Sequence, residues 1–289
     1  MIELTTPTDV RAWSRAARAK GRRVGFVPTM GALHEGHLRL VDRARELCDD
    51  VVISIFVNPL QFGPHEDFAR YPRDLARDRD LAAGRNVTCL FVPSAAEVYP
   101  TEPQVRLAPG PLADTLEGTV RPGHFAGVLT VVAKLFHMVE PDVAVFGRKD
   151  FQQVTLVSRM VTDLDFPTAI EVAPTVRELD GLALSSRNQY LDADQRRSAM
   201  GLCRALREIE KGWRGGVADP GELQRRGRDV MGQAGVAVEY VALVDADLRP
   251  VTRATQSTVA LVAAKVGATR LIDNVILGEG VGADPTTRG

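Results

Sequence analysis

His34 and His37 stand three residues apart in the stretch Pro28-Thr29-Met30-Gly31-Ala32-Leu33-His34-Glu35-Gly36-His37. On a first helical turn that spacing projects both rings from one face. Gly31 lets a backbone approach a ligand with no Cβ between them. A helix start here offers N–H groups and a positive dipole end, which together suit an anion. The chemistry indicated is phosphate binding. A plainer reading stands beside it: a strand–Gly–helix turn, common in α/β proteins, carrying two capping or solvated histidines. The stretch contains neither G-x-G-x-x-G nor G-x-x-x-x-G-K-[ST].

Three other polar clusters carry groups of related chemistry: Asn58-Pro59-Leu60-Gln61-Phe62, then Gly147-Arg148-Lys149-Asp150 with Gln152-Gln153, and Leu184-Ser185-Ser186-Arg187-Asn188. Lys149 and Arg187 are cations suited to phosphate oxygens, the arginine in bidentate fashion. Ser185 and Ser186 can donate hydroxyls, and Gly147 permits close backbone approach. Asp150 could hold a ribose hydroxyl, a histidine or a metal-bound water; equally it could cap the next helix. Gln61 and Gln153 offer uncharged amides for a substrate bearing both hydroxyl and carboxylate groups. Taken singly, each cluster has an ordinary structural explanation. Taken together, they describe a nucleotide site with a polar organic acid beside it.

The elements that must position these clusters follow from patterning. Val24-Gly25-Phe26-Val27 reads as a buried strand, and Leu38, Val41, Ala44 and Cys48 recur after it at helical spacing. Val51 to Val57 is a β-branched run typical of a parallel strand buried on both faces, ended by Asn58-Pro59. A polar helix from about Asp74 closes at Gly84, and Val87 to Val92 reads as the next strand. Pro93 to Gly123 is rich in Pro and Gly and reads as long loops. Phe125 to Val139 is apolar almost all round, which predicts a helix deep in the core. Asp142–Phe146, Phe151–Asp163 and Ile170–Val176 continue the strand, helix, strand alternation. The clusters therefore fall at strand carboxyl ends, where open parallel sheets bind ligands. Thr6-Pro7 opens an N-terminal helix that should end near Gly21.

After Arg187 the pattern changes. Asp192 and Gln195 form a capping pair opening a long helix through Trp213, and Pro220 starts another to about Ala234. Val238–Val244, Thr258–Val266 and Leu271–Leu277 follow as strands with short links, predicting an antiparallel sheet. The expected fold is α/β: a Rossmann-like, doubly wound parallel sheet domain over residues 1–175, then a smaller α+β domain with an antiparallel sheet over 176–278. The second domain and the 93–123 region are candidate covers for the site. Residues 279–289 are expected to be a flexible tail.

Composition narrows the classes. With 289 residues, 45% hydrophobic and 25% charged, the chain is of ordinary globular type and long enough for two domains. Thirty-six basic and 37 acidic residues leave a net charge of -1, giving no electrostatic reason to expect nucleic acid or an anionic membrane as partner. Three scattered cysteines (Cys48, Cys89, Cys203) form neither a disulfide framework nor a metal-ligand pattern. No run of 18 apolar residues and no signal-like segment is visible, so a cytoplasmic protein is expected.

Five motifs then match in order: PTMGALHEGHL (28–38), FVNPLQF (56–62), RPGHFAGV (121–128), FGRKDFQQ (146–153) and DGLALSSRNQYL (180–191). With them the chain resembles the pantoate–β-alanine ligase (pantothenate synthetase) family over its length to about Gly278. A looser form of the first motif is shared by the wider HxGH nucleotidyltransferases. The resemblance implies that ATP and (R)-pantoate give pantoyl adenylate and pyrophosphate, after which β-alanine displaces AMP. It implies an ATP site of Met30, Gly31, Ala32, Leu33, His34, Glu35, Gly36 and His37 with Gly147, Arg148, Lys149, Asp150, Val176, Leu184, Ser185, Ser186 and Arg187. Catalytic roles fall to His37, as proton donor, and to His34, Lys149 and Arg187. Gln61 and Gln153 would bind pantoate, and Gln61 also β-alanine. It further implies Mg²⁺, held mostly by phosphates with Asp78 as one protein ligand, and a homodimer. Two departures stand out. Arg148 occupies a position where an acid is expected and should point outward; Leu184 replaces a usual methionine but keeps an apolar wall. Two other functions remain open on the residues alone: a nucleotidyltransferase that stops at the adenylate, and a non-catalytic nucleotide sensor. AMP release separates the ligase from the first, and pyrophosphate release separates it from the second.

Overall fold

The computed structural model of the chain describes residues 1–64 and 66–282 and divides into two compact units. The first comprises Met1–Arg148 and Gln152–Ala173; the second begins with Lys149–Phe151 and resumes at Pro174.

The first unit is built on a six-stranded, all-parallel sheet in the order β1-β4-β3-β2-β5-β6. Its strands are β1 (Ile2–Leu4), β2 (Val24–Thr29), β3 (Asp50–Ile55), β4 (Cys89–Phe91), β5 (Val143–Gly147) and β6 (Ala169–Ala173). Successive side chains leave a strand on opposite faces, and here each face meets its own helices. Phe26, Val52 and Ala144 join a core with α1 (Pro7–Arg18), α6 (His124–Val139) and α7 (Phe151–Asp163). Val27, Val51, Ile53, Val143 and Val145 face α2 (Glu35–Leu47) and α3 (Leu75–Gly84) instead. Because both faces are covered, β2 and β3 read as continuous apolar runs, as their sequences anticipated. The chain runs outward from β2 through β3 to β4, then returns to lay β5 on the other side of β2. The reversal between β2 and β5 is the switch point at which doubly wound sheets bind ligands.

Helix starts are where the sequence placed them. Thr6 Oγ1 accepts the Asp9 N–H (3.1 Å) with Pro7 leading α1. The N-terminus differs: Ile2–Leu4 pairs in parallel with Cys89–Phe91 as an edge strand, too short to show periodicity. The 93–123 region is less loop-like than expected, containing α4 (Ala95–Val98) and α5 (Glu117–Val120). Buried Gln152 pins it, accepting the Glu117 N–H (3.0 Å) and donating to the carbonyls of Leu112 (2.8 Å) and Thr115 (2.9 Å).

In the second unit, α8 (Ala193–Arg214) and α9 (Pro220–Gln233) pack with an antiparallel sheet, β7 (Ala237–Val244), β8 (Val259–Val266) and β9 (Thr269–Ile276). Asp192 Oδ1 caps α8 by accepting the N–H groups of Asp194 (2.9 Å) and Gln195 (2.8 Å), and Gln195 returns a bond to the Asp192 N–H (3.2 Å). The tail expected from residue 279 is anchored at its start: Val281 is buried and its N–H donates to Glu210 Oε2 (3.1 Å). Residues 283–289 lie outside the described residues. The three cysteines are free thiols whose burial raises their pKa, that of Cys89 to about 12. Among the described residues no helix is long and apolar enough to cross a membrane.

Candidate active site

The first polar cluster is a braced turn at the carboxyl end of β2. Thr29 Oγ1 donates to the Ser54 carbonyl of neighbouring β3 (2.6 Å) and accepts the Gly31 N–H (3.1 Å). Asp78, on the first turn of α3, accepts the next two N–H groups: Ala32 to Oδ2 (2.8 Å) and Leu33 to Oδ1 (2.7 Å). Gly31 sits at φ +82°, and a Cβ there would lie 2.9 Å from Asp78 Oδ2 and 3.0 Å from Ile55 Cγ2. The turn itself therefore calls for glycine here, alongside the ligand approach that the sequence suggested.

This arrangement revises two expectations. The N–H groups of residues 31–33 already have protein partners, so anion-binding capacity lies further on, at the start of α2 and its histidines. Asp78 is 1% exposed with both oxygens engaged by the turn, and burial pushes its carboxyl above the usual range against the pull of the Leu33 and Ala32 N–H groups. It is a turn-holding residue, and its surroundings do not support the metal-ligand role. Among the described residues no group of three or more His, Cys, Asp or Glu is placed to hold a metal ion.

His34 is the N-cap residue of α2 and His37 lies in its first turn. The rings stack, with centroids 4.0 Å apart, so the spacing does bring them to one face. The His34 N–H makes a long hydrogen bond to His37 Nδ1 (3.4 Å). An Nδ1 that accepts carries no proton, so neutral His37 holds its proton on Nε2, where it can be donated.

The second cluster follows β3, directly beside the first. Asn58 is fully buried and hydrogen-bonded on both sides of its amide. Its Oδ1 accepts Tyr99 Oη–H (2.9 Å) and the Leu60 N–H (3.3 Å), which leaves Nδ2 as the donor to Gln61 Oε1 (3.0 Å) and the Gly127 carbonyl (3.1 Å). With Oε1 so used, Gln61 presents Nε2, which approaches Met30 Sδ at 3.1 Å. Gln61 is thereby oriented as a donor, suited to an oxygen-rich ligand. Gly127 of α6 is fixed by the same turn: a Cβ on it would fall 2.1 Å from the Leu60 carbonyl oxygen.

At the third cluster Gly147 ends β5, and Arg148, expected to point outward, is half-buried. Gln153 is half-buried next to fully engaged Gln152. Lys149 and Asp150 belong to the second unit, where Lys149 Nζ lies 4.0 Å from Asp150 Oδ1. The Lys149 carbonyl accepts Asn274 Nδ2–H (2.9 Å) from β9. The neighbouring residue, Asp273, makes a buried bidentate pair with Arg177 (2.6 and 2.9 Å). Arg177 also opens a short antiparallel hairpin closed by the Arg177–Ala183 bridge and by the Leu184 N–H donated to the Val176 carbonyl (3.0 Å). That hairpin delivers the fourth cluster, in which Ser185 Oγ accepts the Arg187 N–H (3.3 Å). Asp273 and Asn274 thus tie Lys149 and the Ser185–Arg187 segment to one strand. Sequence reasoning had no signal for these partners, nor for Tyr99, since nothing local marks them; His124 stood in the 121–128 motif without an assigned role.

The family profile described as pantoate-beta-alanine ligase matches residues 3–276. The chain belongs to the pantoate-beta-alanine ligase family. It is 48% identical over 281 residues to the pantothenate synthetase of Pelotomaculum thermopropionicum, covering 96% of this chain and 100% of that protein. The crystal structure of pantothenate synthetase from Thermus thermophilus superposes with a TM-score of 0.90 at 45% identity, covering 96% of this chain and 99% of that one. That of pantoate-beta-alanine ligase from Francisella tularensis, complexed with beta-gamma ATP and beta-alanine, does so with a TM-score of 0.83 at 34% identity, over 98% and 100%. The matches confirm the anticipated fold class and place the chain among ligase enzymes.

Proposed function

We propose that this ligase condenses (R)-pantoate with β-alanine at the expense of ATP, by way of pantoyl adenylate. A pantoate carboxylate oxygen bonds to the α-phosphorus and pyrophosphate leaves. The β-alanine ammonium gives up one proton, its amine attacks the acyl carbon, the acyl C–O bond breaks as AMP departs, and a second proton leaves the nitrogen to give the amide. The observation that carries the reading is the 3.1 Å approach of Gln61 Nε2 to Met30 Sδ, which joins the amide donor assigned to pantoate to the turn assigned to ATP.

In this reading the Met30–His37 turn binds ATP through the start of α2, with His37 Nε2–H and His34 directed at phosphate oxygens. Lys149, Ser185, Ser186 and Arg187 supply further donors and positive charge, and Gly147, Arg148, Asp150, Val176 and Leu184 complete the nucleotide site. Gln61 and Gln153 hold pantoate, and Gln61 also lies at the β-alanine position. Charge developing on the α-phosphate and the leaving pyrophosphate is stabilised by fixed donors more strongly than is bound ATP, which lowers the barrier. Mg²⁺ is the expected companion of the phosphates, since this hard cation is commonly held by substrate phosphates with few protein ligands. A homodimer is the expected assembly, checked by sedimentation.

The deciding experiment is exchange of labelled pyrophosphate into ATP. Exchange should require pantoate and be independent of β-alanine, and AMP should appear only when β-alanine is added. Exchange without pantoate, or none with it, refutes the adenylate route.

A further inference from the structure

Arg121 and His124 belong to the 121–128 motif, and the reaction as derived gives them no task. Gly123 at φ +79° turns the chain so that both reach the Gln61 segment. Glu66 accepts a bidentate pair of bonds from Arg121, Nε to Oε1 and Nη2 to Oε2, each 2.6 Å. Arg121 Nη1 lies 2.8 Å from His124 Nε2, and His124 Nδ1 lies 2.8 Å from the Gln61 carbonyl oxygen. Arg121 Nη2 reaches the same carbonyl at 3.3 Å.

The chemistry of the partners fixes every proton. A guanidinium only donates, so His124 Nε2 must accept; a carbonyl only accepts, so Nδ1 must carry the hydrogen. His124 is therefore neutral and of one tautomer. Protonating Nε2 would set an N–H against the Arg121 guanidinium. Burial, then the Arg121 charge, hold the His124 pKa down to about 4, against the Gln61 carbonyl and the carboxylates of Glu66 and Glu117. Arg121 donates both to the Glu66 carboxylate and to His124, and His124 donates in turn to the Gln61 main chain, so the bonds link Glu66 to Gln61 without a break. Asn58 holds the other end of the same residue, its side-chain oxygen.

We propose that Glu66, Arg121 and His124 form a relay that fixes the main chain of Gln61, making His124 a positioning residue for the acid substrate. The proposal rests on the reading that Gln61 binds pantoate. With its backbone and Oε1 both clamped, Gln61 meets the substrate with Nε2 already aimed, and no ordering is left to occur on binding. Loosening the main-chain anchor displaces Nε2 relative to the α2 turn, and a displacement on the order of 1 Å can cost about 100-fold in rate.

The test compares His124→Phe, His124→Asn, Glu66→Gln and Gln61→Ala in the full-length enzyme, with thermal melts as a folding control. His124→Phe removes both ring bonds and should lower kcat/KM for pantoate by about 10- to 100-fold, with the KM for ATP unchanged. In His124→Asn the shorter side-chain amide would reach the Gln61 carbonyl alone, so this variant should stay within about fivefold of the native enzyme, the loss expected for one hydrogen bond. A loss of thermal stability with pantoate kinetics unchanged in His124→Phe would overturn the proposal. If His124→Phe does not fold, Glu66→Gln decides: a pantoate-specific loss supports the relay, and native pantoate kinetics overturn it. Gln61→Ala separates the two levels. Normal pantoate kinetics in that variant refute the assignment of Gln61, whereas a defect there beside native kinetics in the His124 variants refutes only the relay.

Discussion

Asp78→Asn tests whether the buried acid holds the turn or a metal. The carboxylate accepts two N–H bonds, from Ala32 and Leu33, at 2.8 and 2.7 Å. The amide keeps one acceptor and points its NH₂ at the other N–H. One charge-assisted bond is lost, about 1.5–3 kcal/mol, and one buried donor is left unsatisfied, about 1–3 kcal/mol more. Removing a charge from a site 1% exposed offsets part of this, because burial disfavours the ionised form. The net expectation is a destabilisation of about 2–4 kcal/mol, concentrated in the Met30–His34 turn. Urea unfolding should show a lower midpoint with an unchanged slope, and pantoate-dependent pyrophosphate exchange should fall. The Mg²⁺ titration discriminates: a damaged turn gives a defect that added Mg²⁺ does not relieve. A variant of native stability whose activity returns at high Mg²⁺ would refute the turn-holding account.

Three further outcomes follow from particular contacts. Lys149→Ala should reduce pyrophosphate exchange by about 100-fold, as loss of one fixed transition-state donor does. Its melting temperature should stay close to native because the Asn274 anchor grips the Lys149 carbonyl, which alanine retains; near-normal single-turnover rates would contradict its role. Asp273→Asn strands the buried Arg177 guanidinium, whose side chain is 4% exposed, and should cost about 3–5 kcal/mol in denaturant unfolding; a change below about 1 kcal/mol would show the pair to be dispensable. Glu140 receives Arg15 and Arg18, and the Arg15 bond foremost lowers its pKa to about 2 from 4.5. A depressed carboxyl pKa contributes stability that is complete above the unfolded value and lost as pH falls through the folded one. Glu140→Gln should therefore flatten the decline in melting temperature between pH 4.5 and about 2, modestly because the pair is partly solvated; parallel melting curves would refute the contribution.

The amino-acid sequence determined the elements and their kind. Periodicity separated the parallel half from the antiparallel one, and caps at Thr6 and Asp192 with the stop at Asn58-Pro59 marked where elements begin and end. These signals are short-range, acting within a few residues, so they survive without knowledge of the fold. His34 and His37 were legible for the same reason: a spacing of three on a helix start is a local fact. The sequence also supplied the family, through five ordered motifs, and so the reaction.

Tertiary structure decided what each polar residue does. The family resemblance offered Asp78 as a metal ligand; its carboxylate accepts N–H groups 45 and 46 residues away in the chain. Gly31 read as space for a ligand, and the Asp78 contact and its positive φ give it a second reason to be glycine. Arg121 and His124 stood in a motif with no task, and meet Gln61 because the start of α6 packs against the Pro59–Gln61 turn. The β1 edge strand is set by its partner β4, since three residues carry no period of their own. A buried polar group must find a partner wherever the fold brings one, and that pairing is fixed by how strands and helices cross rather than by spacing along the chain.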